Sequence, residues 1–449
     1  MTLPTAALGV VAANAAVVAL AAGRPALLPL ALAGVVALPV VAFLAVKFVE
    51  RPQRGVLVLA ALLPLDGLRE ITPFPAGWKE ALVLGTLAAT FFAPPEARGA
   101  PGRRVPSWAF AIGAFLFLGA VSVVFVGESQ GLVGLKIGFF YLLVALAVWR
   151  CPLNARERDT LVTILMAMGF VTAFVGIAQQ VIGEARLVDW GYSYLVSVRT
   201  AGGYLRSFST FVTNFPFALY LMLVLLIGIP SALTDVHRLR NKLFLLSLPV
   251  LIAGLVVSIT RAAWIGLAVG LVYIGVTRFR SVLAMLARVG VWLVAGLLIA
   301  TSFGSVFLSG ESLNDRLKIW ESNASQVVEH PLGKGIGSTG SAAAKLTEVT
   351  GEATRDVLQP DNYYFKTTLE LGVLGLWVLL FVFVTAFSAA SSAARRLRGS
   401  DGALATGVAA SVLAAATVSL FATYFEVFPL DAYFWMLLAV VATCVPESR

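Results

Sequence analysis

Apolar residues in this chain fall in long uninterrupted runs separated by short polar stretches. Runs cover roughly residues 5–22, 26–46, 55–68, 80–93, 107–126, 131–149, 160–182, 211–230, 243–260, 262–277, 282–303, 371–390, 403–424 and 432–446. An α-helix rises about 1.5 Å per residue, so about 20 apolar residues cross a hydrocarbon core of about 30 Å. The runs at 55–68 and 80–93 are short for that, and about 12 to 14 membrane helices are expected. The pattern predicts an all-α polytopic integral membrane protein. It divides into N-terminal transmembrane helices (1–182), an outer loop (183–210), central transmembrane helices (211–303), a large outer loop (304–370) and C-terminal transmembrane helices (371–449). The N-terminus lacks a basic start and runs straight into apolar sequence, so it reads as a retained helix and not a cleaved signal.

Composition supports this class. The 449 residues are 59% hydrophobic and 13% charged, with a mean hydropathy of +0.90. Soluble domains carry about 25% charged residues, which excludes an ordinary cytosolic enzyme and, in the other direction, a disordered chain. The formal charge of +9 could suggest nucleic acid. However, Lys and Arg concentrate on alternate connections (47–54, 98–104, 150–158, 238–242, 278–280 and 395–398). That bias places these connections on the cytoplasmic side, explains the basic excess by insertion and removes nucleic acid as a partner. Cys151 and Cys444 lie in or beside spans and imply no disulfide framework.

The outer connections carry arginines that topology does not require. Arg206 opens RSFSTFVTNFPFALYL just before a span, and Arg261 sits in SITRAAWIGL between two apolar runs. A guanidinium there costs a few kcal/mol unless it is solvated or paired. Each arginine, Arg199 included, is either a snorkelling helix-end charge or a planar fork for two phosphate oxygens at a lipid headgroup. Arg316, in the long loop, is either a surface ion-pair member or a further contact of that kind. The loop contains RLKIWESNASQVVEHPLGKGIGSTG. Helical spacing runs from Leu313 to Val328, Pro331 ends it, and Gly333, Gly335 and Gly337 make a turn that permits close backbone approach. His330 is a capping or packing residue or a base. Asp361 and Asn362 precede a helix in DNYYFKTTLELGVLGLW, where Asp361 is either the N-cap or a reactive carboxylate. Glu370 either faces the same cavity or is a surface acid. Tyr363, Tyr364 and Trp320 either stack on sugar rings or fill the cap core and aromatic belt. Zinc-ligand spacing, a serine elbow and a dinucleotide fingerprint are missing from the sequence, so neither metal nor cofactor is expected.

Four separated strings, RSFSTFVTNFPFALYL, TRAAWIGL, RLKIWESNASQVVEHPLGKGIGS and DNYYFKTTLELGVLG, resemble the O-antigen ligase and O-antigen polymerase superfamily over roughly residues 200–390. The last string matches a His-Asn-x9-Gly-x-x-Gly motif through Asn362, Gly372 and Gly375. The resemblance implies an inverting, metal-independent glycosyltransferase of the membrane-embedded C-type class with a helical periplasmic cap. It would sit in the bacterial inner membrane with its active site facing the periplasm. Its donor would be a glycan on undecaprenyl diphosphate, its acceptor another glycan or lipid A core, and the bilayer its third partner. Arg206 and Arg261 would hold the diphosphate, with Arg316 a further contact. The motif histidine is Asp361 here, a weaker base by about 2.6 pK units when unperturbed, which tilts the expectation from ligase towards polymerase. A lipid-linked glycan transporter is the alternative from another class. It predicts mid-depth charges and matched broken helices, and Lys136 and Arg288 are the basic residues expected inside spans.

Overall fold

The computed structural model describes residues 47–282 apart from 74, 76 and 100–102, then residues 326–350 and 360–444. The spans expected at 5–22 and 26–46, nearly all of that at 282–303, and Arg288, Arg316 and Trp320 lie outside the described residues. Within them the chain is all-α apart from one two-residue hairpin, β1 (Thr200–Ala201) and β2 (Tyr204–Leu205). Hydrocarbon offers backbone amides no alternative partner, so apolar runs close their hydrogen bonds as helices.

The helices are α1 (Gln53–Leu62), α2 (Trp78–Phe92), α3 (Ser107–Ser122), α4 (Glu128–Phe139), α5 (Leu142–Arg150), α6 (Ala155–Ile182), α7 (Glu184–Asp189), α8 (Asn214–Thr234), α9 (Leu239–Val257), α10 (Arg261–Thr277), α11 (Gly340–Thr350), α12 (Tyr363–Arg396), α13 (Gly399–Val418) and α14 (Leu430–Cys444). Six of the described helices, α3 with its 3-10 extension to Phe125, α6, α8, α9, α12 and α13, are long and apolar enough to cross a membrane, and α4 with α5, bent by 50°, makes a seventh candidate. The run at 55–68 becomes α1 followed by a 3-10 stretch, Leu63–Glu70. The span expected from residue 371 lies in a helix that begins at Tyr363, directly after Asp361 and Asn362 as expected.

Burial sorts these helices. The most apolar windows of α8 and α13 are 89% and 78% buried inside the protein, against 28% for α9. α13 (GSDGALATGVAASVLAAATV) is built from small residues, which let backbones approach closely where solvent cannot drive packing. A Cβ on Gly407 would lie 2.7 Å from the Leu226 carbonyl oxygen of α8. Phe110, Phe117, Leu246, Trp377 and Phe381 are all more than half exposed, the side-chain chemistry of a lipid-facing belt.

One end of the bundle is stapled by arginine forks. Arg158 donates to both carboxylate oxygens of Asp401 (2.8 and 2.6 Å), and Arg238 does the same to Asp159 (2.6 Å each). These residues lie on the basic connections assigned to the cytoplasmic side. At the other end, the connection after α1 meets the loop before α8: Gly67 N donates to Thr210 O and Thr210 Oγ1 to Pro64 O.

The long loop is joined to the bundle through a break in α12. Gly372 has φ 69° and ψ −173° inside that helix, so the carbonyls just before it lose their helical partners. The glycine turn supplies replacements: Lys334 N donates to Leu369 O (2.7 Å) and Gly335 N to Glu370 O (2.9 Å), while Val373 N donates back to Pro331 O (3.3 Å). The turn also touches the N-terminal half, where Ile336 N donates to Ser122 Oγ (3.0 Å) and Gln130 Nε2 to Gly337 O (2.9 Å). The close approach that the glycines allow is therefore to the broken helix itself. A Cβ on Gly333 would meet Glu370 O, and one on Gly372 would meet Pro331 O, each at 2.5 Å.

Gly372→Ala combines that clash with a backbone region that L-residues avoid. It is expected to destabilise the protein by about 2 kcal/mol or more, read as a fall in melting temperature in detergent micelles. An Ala variant that melts with the parent would refute the docking described for the turn.

Candidate functional site

Two sequence strings separated by some fifty residues are hydrogen-bonded to each other. α9 and α10 are joined by a turn in which Ile259, a β-branched residue, has φ +51°, a strained conformation for its type. Asn214, at the start of α8, donates through Nδ2 to Thr260 Oγ1 (2.9 Å) and Ser258 O (3.3 Å). Ser207 N donates to Val257 O (3.0 Å). The Arg206 guanidinium donates to the Ile259 carbonyl (3.2 Å), two residues before Arg261, the first residue of α10. Arg206 and Arg261 are thus brought to one rim by a lock between their own motifs.

Arg199 joins them across the β1–β2 hairpin, where Arg206 N donates to Arg199 O (2.8 Å). Its own Nε donates to the carbonyls of Leu195 and Val196. Burial, with the like charges of Arg199 and Arg261, pushes the Arg206 guanidinium below its ordinary value. Its Nε is buried and has no hydrogen-bond acceptor among the described residues, and its cation lies 5.7 Å from the Phe215 ring centre. A half-buried guanidinium facing two other cations gains most from an anion.

The outer end of α13 connects this rim to the closing motif. Gly266 of α10 packs against Val418, so closely that a Cβ there would lie 2.7 Å from Val418 Cγ2. The neighbouring Ser419 carbonyl accepts the N–H of Tyr363 (2.8 Å). Gly266, in the second turn of α10, and Tyr363, next to Asn362, therefore meet the same helix end. The cap of α12 is Asn362, whose side chain accepts from Tyr364 N and Phe365 N, and not Asp361. Asp361 is exposed and spared the capping role. Tyr363 is buried at 7% exposure with its ring 5.4 Å from Phe425, a place in the core and not on an open sugar platform. Tyr364 donates its hydroxyl to Ala416 O. His330 is exposed, and its backbone carbonyl accepts Gly333 N.

Glu370 is neither a surface acid nor open to a cavity alone. It is buried and paired with Lys366, which also contacts Glu426 at 3.3 Å, and all three side chains are about 5–6% exposed. Thr339 donates to Glu370 from both N and Oγ1. Lys366 and Glu426 were not foreseen from sequence; an i, i+4 Lys–Glu pair inside an apolar helix was the available signal. Burial, opposed by Lys366 and assisted by Glu370, raises the Glu426 carboxyl above its ordinary range. Lys136, expected inside a span, lies in α4, half of the bent candidate span, where it is half exposed and paired with Glu80 (2.9 Å).

Residues 243–380 match the family described as O-antigen ligase, which bears out the resemblance over that segment. The match holds the turn before α10, Arg261, the glycine turn and the closing motif. No curated protein matches the chain.

Removing Lys366 leaves two carboxylates together in a buried site. Lys366→Met is expected to cost about 3–5 kcal/mol, measured by unfolding in detergent. Glu426 acts in the opposite direction. With its native pKa raised, its stabilising contribution is complete below its ordinary value of 4.5 and is lost as pH rises through the raised value. Glu426→Gln should flatten the pH dependence of stability between 4.5 and that raised value without loss at neutral pH. A variant that keeps the parent's slope would contradict this placement.

Proposed function

We propose, from a chain whose residues 243–380 belong to the O-antigen ligase family by sequence, that the protein is a membrane glycosyltransferase acting on a lipid-linked glycan. The donor is a glycan on undecaprenyl diphosphate, held at the outer rim. Transfer is inverting, needs no metal, and extends a polysaccharide in preference to charging lipid A core. The observation that carries this reading is the lock placing Arg206 and Arg261 on one rim, with the buried Arg206 Nε lacking an acceptor among the described residues.

The chemistry follows from charge. An acceptor hydroxyl oxygen attacks the anomeric carbon, the bond from that carbon to the diphosphate oxygen breaks, and the diphosphate leaves with the electron pair. The hydroxyl proton passes to the Asp361 carboxylate. Negative charge grows on the leaving group as the bond lengthens, so fixed guanidinium groups stabilise the transition state more than the ground state. Rigidity matters here. Arg206 is held by the strained Ile259 turn, so less reorganisation accompanies the step. Asn362, by capping α12, sets the position of its neighbour Asp361.

Transport is the second reading, and one observation favours it: α12 is broken at Gly372 and α4/α5 is bent by 50°, as alternating transporters require. The arginines cluster at the rim and not at mid-depth, which favours transfer.

Arg206→Ala and Arg261→Ala should each lower transfer in membranes by about 10²–10³-fold while lipid-linked donor accumulates. Lysine replacements should restore part of the rate. Normal polymer length with normal donor turnover in both Ala variants would defeat the diphosphate assignment. Vesicles that move labelled lipid-linked glycan without consuming it would establish transport instead. Glycan found on lipid A core, in place of free long polymer, would mark a ligase.

A further inference from the structure

A second cavity, of about 620 Å3, opens at the same end of the bundle, between the start of α2, the α4–α5 bend, α11 and the start of α14. None of its lining residues comes from the loop before α8 or from α8, α9 and α10, so it is separate from the arginine rim. It nevertheless abuts the closing motif, because Glu426 lines it and is paired with Lys366 in the first turns of α12.

Its walls are of two kinds. Phe140, Tyr141 and Phe428 supply an aromatic side, with the Tyr141 and Phe428 rings 5.2 Å apart. Around them stand hydrogen-bonding groups of both senses. Asp431 is only 4% exposed, yet its Oδ1 has no hydrogen-bond partner among the described residues, and the same holds for the buried Oε2 of Glu80. Both residues line the cavity, as do Arg69 and Lys345. Lys79 Nζ stands 3.7 Å over the Phe428 ring.

Buried acceptor oxygens without donors are costly, and proteins rarely retain them without a use. Lys79 and Lys136 also line the cavity, but each is already paired, with Asp66 and with Glu80, so the buried groups without partners are acceptor oxygens. A ligand that brings donors relieves them. An apolar face flanked by unsatisfied acceptors and by cationic donors suits a ring carrying hydroxyls on its rim and C–H groups on its face.

We infer that this cavity binds a saccharide and is the seat of the acceptor glycan, with Glu80 and Asp431 accepting its hydroxyls and Tyr141 packing against a ring face. The acceptor role rests on the transferase reading; saccharide binding does not. The aromatic wall and the carboxylates orient the incoming chain, and the neighbouring first turns of α12 carry it towards Asp361.

The test uses the full-length protein in nanodiscs and saturation-transfer NMR with free glucose, galactose, mannose, rhamnose, N-acetylglucosamine and glucuronic acid. At least one sugar should show transfer in the parent, persist in Arg206→Ala, and bind about tenfold more weakly in Glu80→Gln and in Asp431→Asn, since each loses an acceptor oxygen. Melting temperature monitors folding, and if Asp431→Asn does not fold, Glu80→Gln decides alone. In the transfer assay the same variants should raise the KM for acceptor and leave that for donor. No sugar signal, a signal unchanged in both variants, or displacement of the sugar by inorganic pyrophosphate would overturn the inference. Loss of transfer in Arg206→Ala with sugar binding intact separates this cavity from the arginine rim. Sugar binding in a protein without transferase activity would leave the binding site standing and remove its acceptor role.

Discussion

Backbone carbonyls freed inside an apolar bundle must find donors within the protein, because each unmet group costs several kcal/mol. α12 frees two of them at Gly372, and the amides of Lys334 and Gly335 meet both. That exchange is the joint on which the outer face depends. It ties the long loop to the last third of the chain, and through Ser122 and Gln130 to α3 and α4. It also fixes the direction in which the first turns of α12, with Asp361 and Asn362 ahead of them, leave the membrane end of the bundle.

Charge is handled differently at the two ends. On the basic side, guanidinium groups meet carboxylates, Arg158 with Asp401 and both Arg238 and Arg240 with Asp159, and their work is structural. On the outer side, beside the Lys79–Asp66 and Lys136–Glu80 pairs, some charges are gathered with like charges. Arg206 faces Arg199 and Arg261, and Glu426 shares Lys366 with Glu370. Such gatherings weaken a fold unless something external balances them, and they are therefore where a ligand contributes most. The arginines are oriented for an anion, while the orphaned oxygens of Glu80 and Asp431 call for hydroxyl donors. Under the proposed transfer reading, the first would hold the diphosphate of the donor and the second the incoming glycan.

The helical class, the sidedness of the basic connections and the motifs around Arg206, Arg261 and Asn362 were legible in the chain, since hydropathy and local motif spacing are properties of contiguous residues. Helix ends were less so. The span expected from 371 sits on a helix that starts at Tyr363, where Asn362 caps it, and Lys366 neutralises Glu370 within its first turns. Asp361 looked like the cap for the same local reason, and only backbone geometry shows that its neighbour takes that role.

Tertiary structure alone decided which residues meet. Nothing in the spacing of Asn214 and Thr260 foretells their hydrogen bond, nor does the glycine turn announce that its partner is a break in a helix some forty residues on. The cavity around Tyr141 draws on segments from Arg69 to Asp431, and no periodicity spans that distance. Sequence determines what each segment can bury, because burial depends on side chains read one after another. Packing determines which polar groups are left over, because that depends on who arrives opposite them.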